Sequence, residues 1–246
     1  WQVVVLHRTN SLWCDFCRGL SSGEDGGTGH LRWPSMKTKN TRSTDTPVPN
    51  EHRGRLLQAM ATVAAAQGLA ATSIAAVVAE AGVSKRTFYE HFKDKDACFL
   101  DLYRAASASA LRTLREAVQP ERPWQDQVEH ALGAYLAHLA SGPQLIRMLF
   151  VEIHHLGPAG ALVRREVMQH LADFMLETIN AEREVLSATM AVAAVGGIQE
   201  LVLQAIERGE AAQLDRLTPS ASAVVRLLAG ASVEGGQKKG PPKRAS

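Results

Sequence analysis

The sequence predicts an all-α protein. Apolar residues recur at helical spacing along most of the chain, and glycines, prolines and N-capping side chains punctuate them. Hydrophobic residues make up 46% of the chain and aromatics only 5%, which suits helices packed through alanine, leucine and valine. The 246 residues have room for one large or two small domains. The expected order is a leader and basic arm over 1–50, a three-helix unit over 51–97, a larger helical unit over 98–230, and a basic tail over 231–246.

Residues 1–35 open on Trp1, and Val3 to Leu6 is too short for the apolar region of a signal peptide. They are expected to precede the true start or to have been added for expression, and to be disordered in either case. Residues 37–50 read as a flexible basic arm that could reach a DNA minor groove, although most such arms are solvated tails. Cys14 and Cys17 form a C-x-x-C, but Cys98 alone does not supply the second ligand pair of a zinc site. Three cysteines without a secretion signal fit a reducing cytoplasm.

The first helix is expected near Glu51 to Gln67, with Leu56, Leu57, Met60, Val63 and Ala64 as its apolar stripe and Gly68 as its stop. Thr72 can cap the next helix, whose Ile74, Val77, Val78 and Ala81 share one face. Gly82 ends it, because glycine enters the left-handed conformation without a Cβ penalty. Ser84 is a suitable N-cap for a third helix, and Val83 and Phe88 stand at the spacing of a hydrophobic staple. Phe88 and Phe92, four apart, anchor that helix inward. Asp94 can cap a long helix running to about Val118, before Pro120 and Pro123.

Further helices are expected at 124–140, 143–156, 159–180, 183–208 and 211–229, punctuated by Gly142-Pro143, Gly157-Pro158 and Gly209. No run of about 18 apolar residues is read, so no membrane span is expected. The tail from Gly235 is basic and rich in glycine and proline, and is expected to be disordered.

The chemistry-bearing feature is the pair of short helices over Thr72 to Phe92, a helix-turn-helix. Lys85, Arg86 and Thr87 open its second helix, where side chains reach base edges in a major groove. Positive charge at a helix N-terminus opposes the macrodipole, so helix stability does not explain Lys85 and Arg86. The bland reading is a solvated helix end; cap, turn, staple and misplaced cations together favour DNA. Tyr89, His91, Lys93 and Lys95 are long donors suited to phosphates.

Four motifs carry a resemblance: R-x-x-L-L-x-A at Arg53 to Ala59, G-L-A-A-T-S at Gly68 to Ser73, I-A-x-x-x-x-x-A-G-V-S at Ile74 to Ser84, and T-F-Y-E-H-F-K-D-K-D at Thr87 to Asp96. Residues 51 to about 100 resemble the DNA-binding domain of the tetracycline-repressor (TetR) family of bacterial transcription regulators. The resemblance implies a three-helix DNA-binding head and a variable helical domain that dimerises and often binds a small molecule. It puts DNA contacts on Thr72, Ser73, Ser84, Lys85, Arg86, Thr87, Tyr89, His91 and Lys95; residue chemistry adds Lys93. It further implies double-stranded DNA with a palindromic operator as partner, a homodimer, and no cofactor. Alanine stands at several positions where family members often carry Asp, Ile or Arg.

The helices near 183–208 and 211–229 are the dimer candidates. Ala188, Val192, Val195, Gly196 and Gly197 would let a second helix approach, and Leu214, Leu217, Val224, Val225, Leu227 and Leu228 would face them. The same residues could instead be intramolecular core. Trp124, Tyr135, Leu139, Met148, Leu149, Phe174 and Met175 are candidates to line a pocket for a small apolar effector, although residues at this spacing are more often plain core.

Glu152 and His155, three apart, could share a metal, but no tight ligand pattern such as H-E-x-x-H occurs, and the default is no metal. An enzyme is the competing class; no phosphate loop, nucleophile elbow or dinucleotide fingerprint is found. A helical protein-interaction module is the other alternative, as is a regulator without a small-molecule effector. The expectation is a cytoplasmic, non-enzymatic repressor, and the family resemblance implies an effector that shifts the helix near 95–118 and so changes the distance between heads.

Overall fold

A computed structural model describes residues 49–236. Helix α1 spans Pro49–Gln67, α2 Ile74–Ala81, α3 Lys85–His91, α4 Lys95–Glu116 and α5 Trp124–Ala140. Then follow α6 at Pro143–His155, α7 at Gly157–Ile179, α8 at Ala188–Glu207, a 3-10 helix at Ala211–Leu217, and α9 at Thr218–Gly236. No strand occurs among the described residues. The leader, the arm up to residue 48, the Cys14–Cys17 pair and the chain after 236 lie outside them.

Local chemistry sets the ends of the early helices. Gly68 and Gly82 adopt φ of +80° and +62°, the left-handed conformation that lets α1 and α2 stop abruptly. The backbone N–H of Val83 donates to the Val78 carbonyl across the second of these stops. Ser84 Oγ accepts from the Thr87 N–H at 3.0 Å, and Asp94 Oδ1 accepts from the Ala97 N–H at 2.7 Å, opening α3 and α4. The cap of α2 is Ser73, not Thr72: Ser73 Oγ accepts from the Ala76 N–H at 3.1 Å. Thr72 is only 3% exposed, and its hydroxyl donates to the Gly68 carbonyl at 2.8 Å. Two adjacent hydroxyl residues compete for such a cap, and burial assigns Thr72 to the preceding turn.

The later helices depart further from their expected bounds. The segment expected to begin a helix at 183 is a loop as far as Ser187. Asn180 holds it: its Oδ1 accepts from the Val185 and Leu186 N–H groups at 2.8 and 2.9 Å, and its Nδ2 donates to the Leu186 carbonyl at 2.8 Å. These bonds satisfy backbone groups that a helix would otherwise pair internally. The single helix expected over 211–229 is two elements, the 3-10 helix and α9, meeting at Leu217 and Thr218. Proline at 219 fits the first turn of a new helix, where its missing N–H is no loss. Helix α9 continues to Gly236, past the expected tail boundary at residue 230.

Two hydrophobic clusters organise the packing. One holds α1 to α3 and the first part of α4, through Leu56, Leu57, Met60, Phe88, Phe92 and Phe99. It does not end with the head: Leu145, Met148, Leu149 and Ile153 of α6 and Val163 and Val167 of α7 complete it. The other is built from the end of α4 and α5, α7, α8, the 3-10 helix and α9. Ion pairs tie these layers together. Arg53 of α1 meets Asp101 of α4 at 2.9 Å, and Arg104 of α4 meets Glu166 of α7 at 3.3 Å.

Helix α8 is long and apolar enough to cross a membrane by length and composition alone, contrary to the sequence expectation of no such stretch. Here it packs on α7 and α9, with Ala191, Val195, Ile198 and Val202 buried in the second cluster. The stripe expected to meet a second subunit is therefore divided. Val195, Leu214 and Val225 are buried within the chain, and a Cβ on Gly197 would lie 3.6 Å from Val224 of α9. Val192 and Leu227 remain exposed, Leu227 at 73%.

Candidate nucleic-acid interface and ligand cavity

The turn between α2 and α3 is fixed from both sides. Arg55 of α1 donates through Nη2 to the Ala81 carbonyl, and to the Gly82 carbonyl at 3.1 Å. A guanidinium at these C-terminal carbonyls satisfies groups that the helix leaves unpaired and complements its dipole. Below the turn, Phe88 is fully buried and packs on Phe92, with ring centroids 5.6 Å apart. Helix α3 is therefore seated on the core by its apolar side, and its other side is carried at a set angle to α1 and α2.

On that outer side stand Lys85, Arg86 and Tyr89, all exposed. Lys85 makes no ion pair or hydrogen bond among the described residues. Arg86, with 89% of its side chain exposed, pairs with Glu90 one turn on at 3.2 Å. A pair this exposed is worth little, so Arg86 can exchange Glu90 for another acceptor at small cost. Ser73, Ser84 and Thr87 stand on the same rim, but their polar groups serve the helix caps; Ser84 Oγ and Thr87 Oγ1 are 3.0 Å apart. His91 is half-buried beside Phe92, and Lys93 is exposed near Asp94 at 3.8 Å.

Two sequence candidates are placed otherwise. Thr72 is buried in the α1–α2 turn, as described above. Lys95 turns its ammonium onto the carbonyls of Leu69, Ala70 and Thr72, at 2.9, 3.2 and 3.2 Å. Its three protons match three acceptors, so it acts here as a clasp between the start of α4 and the loop before α2.

The same loop is held from the body by Glu152 of α6, a residue that the sequence raised only as a metal ligand. Its Oε1 accepts from the Leu69 N–H at 3.2 Å, and its Oε2 lies 3.3 Å from His155 Nδ1. No group of three potential metal ligands occurs among the described residues. Replacing Glu152 by alanine leaves the Leu69 N–H unpaired and is expected to lower stability by about 1–3 kcal/mol. Glu152→Gln, which keeps an acceptor oxygen, should recover most of that loss in urea denaturation. Equal midpoints for wild type and Glu152→Ala would show that the contact contributes nothing.

Beyond the head, two adjoining chambers lie in the second cluster and where it meets the first. The larger has about 550 Å³ of space between atoms, its opening to solvent included, and lies among α4, α5, α7 and α8. Of the expected lining residues, Tyr135, Phe174 and Met175 border it. Tyr135, Leu139 and Leu149 border the smaller one, of about 420 Å³ on the same measure. Met148 lines neither and belongs to the core under the head. Trp124 also lines neither and packs on the outside of the second cluster. Periodicity put both on inward faces, but it could not say which core each face meets. Tyr135, Leu171 and Gln199 border both chambers. Tyr103 and Gln199 were missed from the sequence; the signal available for Gln199 was an amide directly after the apolar run Ala188–Ile198.

Burial decides the ionisation of the nearby groups. It pushes the Tyr103 phenol up to about 12, against a smaller lowering by Arg164. Burial raises Tyr135 as well, with Tyr103 adding to the effect. The Cys98 thiol is raised to about 12 by burial and by the Asp101 charge, which makes it a poor nucleophile at neutral pH.

Comparison with known proteins agrees with this geometry. Residues 56–102 match the family model of the bacterial regulatory proteins, tetR family. A curated relative, the uncharacterized HTH-type transcriptional regulator YerO of Bacillus subtilis (strain 168), is 28% identical over 106 residues. The match covers 42% of this chain and 36% of that relative, so the chain spans about a third of its length. Among solved structures, the transcriptional regulator FadR from Bacillus subtilis in complex with stearoyl-CoA superposes with a TM-score of 0.61 at 17% identity, over 72% of this chain and 97% of that one. A TetR-like transcriptional regulator from Rhodococcus sp. RHA1 gives 0.54 at 20% identity, over 78% and 100%. At these identities the likeness is one of fold.

Proposed function

We propose that the chain is a member of the tetR family of bacterial regulatory proteins, whose model it matches over residues 56–102, and that it is a sequence-specific DNA-binding transcription regulator that acts in the cytoplasm as a repressor. The observation that carries this reading is the outer face of α3. Lys85 and Arg86 stand exposed at the N-terminus of a short helix whose turn, cap and buried face are all fixed. Such cations are unfavourable for the free helix and favourable against guanine edges and phosphates. Tyr89 and Lys93 extend the same surface toward the backbone of a duplex. Ser84 and Thr87 take part through the rim they form.

The chain acts as a homodimer through α8 and α9, with Val192 and Leu227 in the interface. Two heads related by a two-fold axis read a palindromic operator, with half-sites about one helical turn of DNA apart, or a multiple of it. The chambers between α4 and α8 receive a small effector, and its binding releases the operator through α4. The complex of the Bacillus subtilis FadR with stearoyl-CoA supports an effector with a long apolar part.

The test is selection of duplexes from a random-sequence library by the full chain, followed by anisotropy titration in a salt series. A two-fold symmetric site bound on the order of a thousandfold tighter than a scrambled duplex is expected, with affinity falling steeply in salt. A library that yields no enriched sequence would retire the DNA reading in favour of an interaction module.

A further inference from the structure

The chambers are lined mostly by apolar side chains. No acidic, basic or histidine side chain borders either one. Thr178 borders the larger, but its hydroxyl donates to the Phe174 carbonyl at 2.9 Å. The remaining polar groups are Tyr135 and Gln199, which border both chambers, and Tyr103 and Ser107, which border the smaller. Tyr135 is only 7% exposed and Tyr103 only 6%. Neither phenol, nor the Gln199 amide, has a hydrogen-bond partner among the described residues. Buried polar groups in a settled core are paired almost without exception. Two nearly buried phenols and a half-buried amide without a partner among the described residues, all bordering the smaller chamber, mark a place for a ligand atom.

The chemistry of that atom follows from the donors. Both phenols stay protonated across the physiological range, because burial penalises the phenolate. They can donate to an acceptor, and the amide N–H of Gln199 can join them. A carboxylate would enter without a bordering cation. Arg164, which acts on Tyr103 electrostatically, borders neither chamber, and its Nη1 lies 3.0 Å from Met168 Sδ. An uncompensated buried charge is costly, whereas a neutral carbonyl loses little water and gains two or three donors.

We propose that Tyr135, Tyr103 and Gln199 form the polar anchor for an uncharged, narrow amphiphile carrying one carbonyl-type acceptor, such as an ester, ketone or lactone, with its apolar part along the chamber lined by Phe174 and Met175. This rests on the ligand-responsive reading above and gives that ligand a chemical class.

The test uses the full chain with methyl octanoate and octanoate as probes, by titration calorimetry. The ester is expected to bind about tenfold or more tightly than the carboxylate. Tyr135→Phe should weaken the ester about tenfold, and Gln199→Leu should weaken it measurably. The melting temperature of unliganded Tyr135→Phe should not fall, since the hydroxyl it lacks has no partner to lose; a merely structural tyrosine would show the reverse pattern. Tighter binding of octanoate, ester affinity unchanged in Tyr135→Phe, or no binding of either probe overturns the proposal. Operator affinity is measured separately with saturating ester. Binding that leaves operator affinity unchanged retires release by this ligand while the anchor stands.

Discussion

Replacing Lys85 and Arg86 together by alanine is expected to abolish operator recognition while leaving the protein folded. Each good pairing of a basic side chain with a base edge contributes about 1–3 kcal/mol, so losing two amounts to roughly thirtyfold to twenty-thousandfold in specific affinity. The residual binding should also depend less on salt if either residue neutralises a phosphate. Stability should move the other way or stay level. Two cations leave the positive end of the α3 dipole, and the Arg86–Glu90 pair lost with them is largely solvated. Circular dichroism melting and anisotropy on the same samples test both halves. A double variant that binds the selected site within threefold of wild type would sink the assignment of α3 as the reading helix. A variant that loses binding because it has unfolded would show as a lowered melting temperature.

The largest effect on stability is expected from Phe88→Ala. Phe88 is fully buried, meets Phe92 and Tyr89 ring to ring, and belongs to the cluster that seats α3 against α1 and α2. Truncating a buried phenylalanine costs about 3–5 kcal/mol, from lost transfer energy and the cavity left behind. Domains are stable by about 5–15 kcal/mol in all, so the loss would unfold a weak head and loosen a strong one. Phe88→Leu keeps most of the volume and should cost under about 1.5 kcal/mol. Urea midpoints for the three proteins give the ordering directly. A Phe88→Ala midpoint within about 1 kcal/mol of wild type would mean that α3 is held mainly by its caps and by Arg55, and that the core beneath it is slack.

These three residues also mark how the site divides between sequence and tertiary structure. Everything that marks α3 as a candidate reading helix lies within about four positions of it. Gly82 turns the chain, Ser84 caps, Val83 and Phe88 face inward, and Lys85 and Arg86 are what remains on the outside. The same holds for Asp94 before α4, and for Gly142-Pro143 before α6. Capping, turning and facing are short-range events, so they can be read one residue at a time.

Long-range contacts settled the rest. Lys95 reads as a phosphate ligand until the loop lying 23 to 26 residues before it presents three carbonyls. Glu152 clasps a backbone group 83 residues away, which no local pattern announces. Thr72 and Ser73 are equivalent as caps until burial separates them. Met148 and Tyr135 both stand on apolar faces, yet one fills the core beneath the head and the other borders two cavities. Helical period gives the direction of a side chain relative to its own axis. What lies in that direction depends on how the axes cross, and the crossing is settled by the packing of all the faces at once.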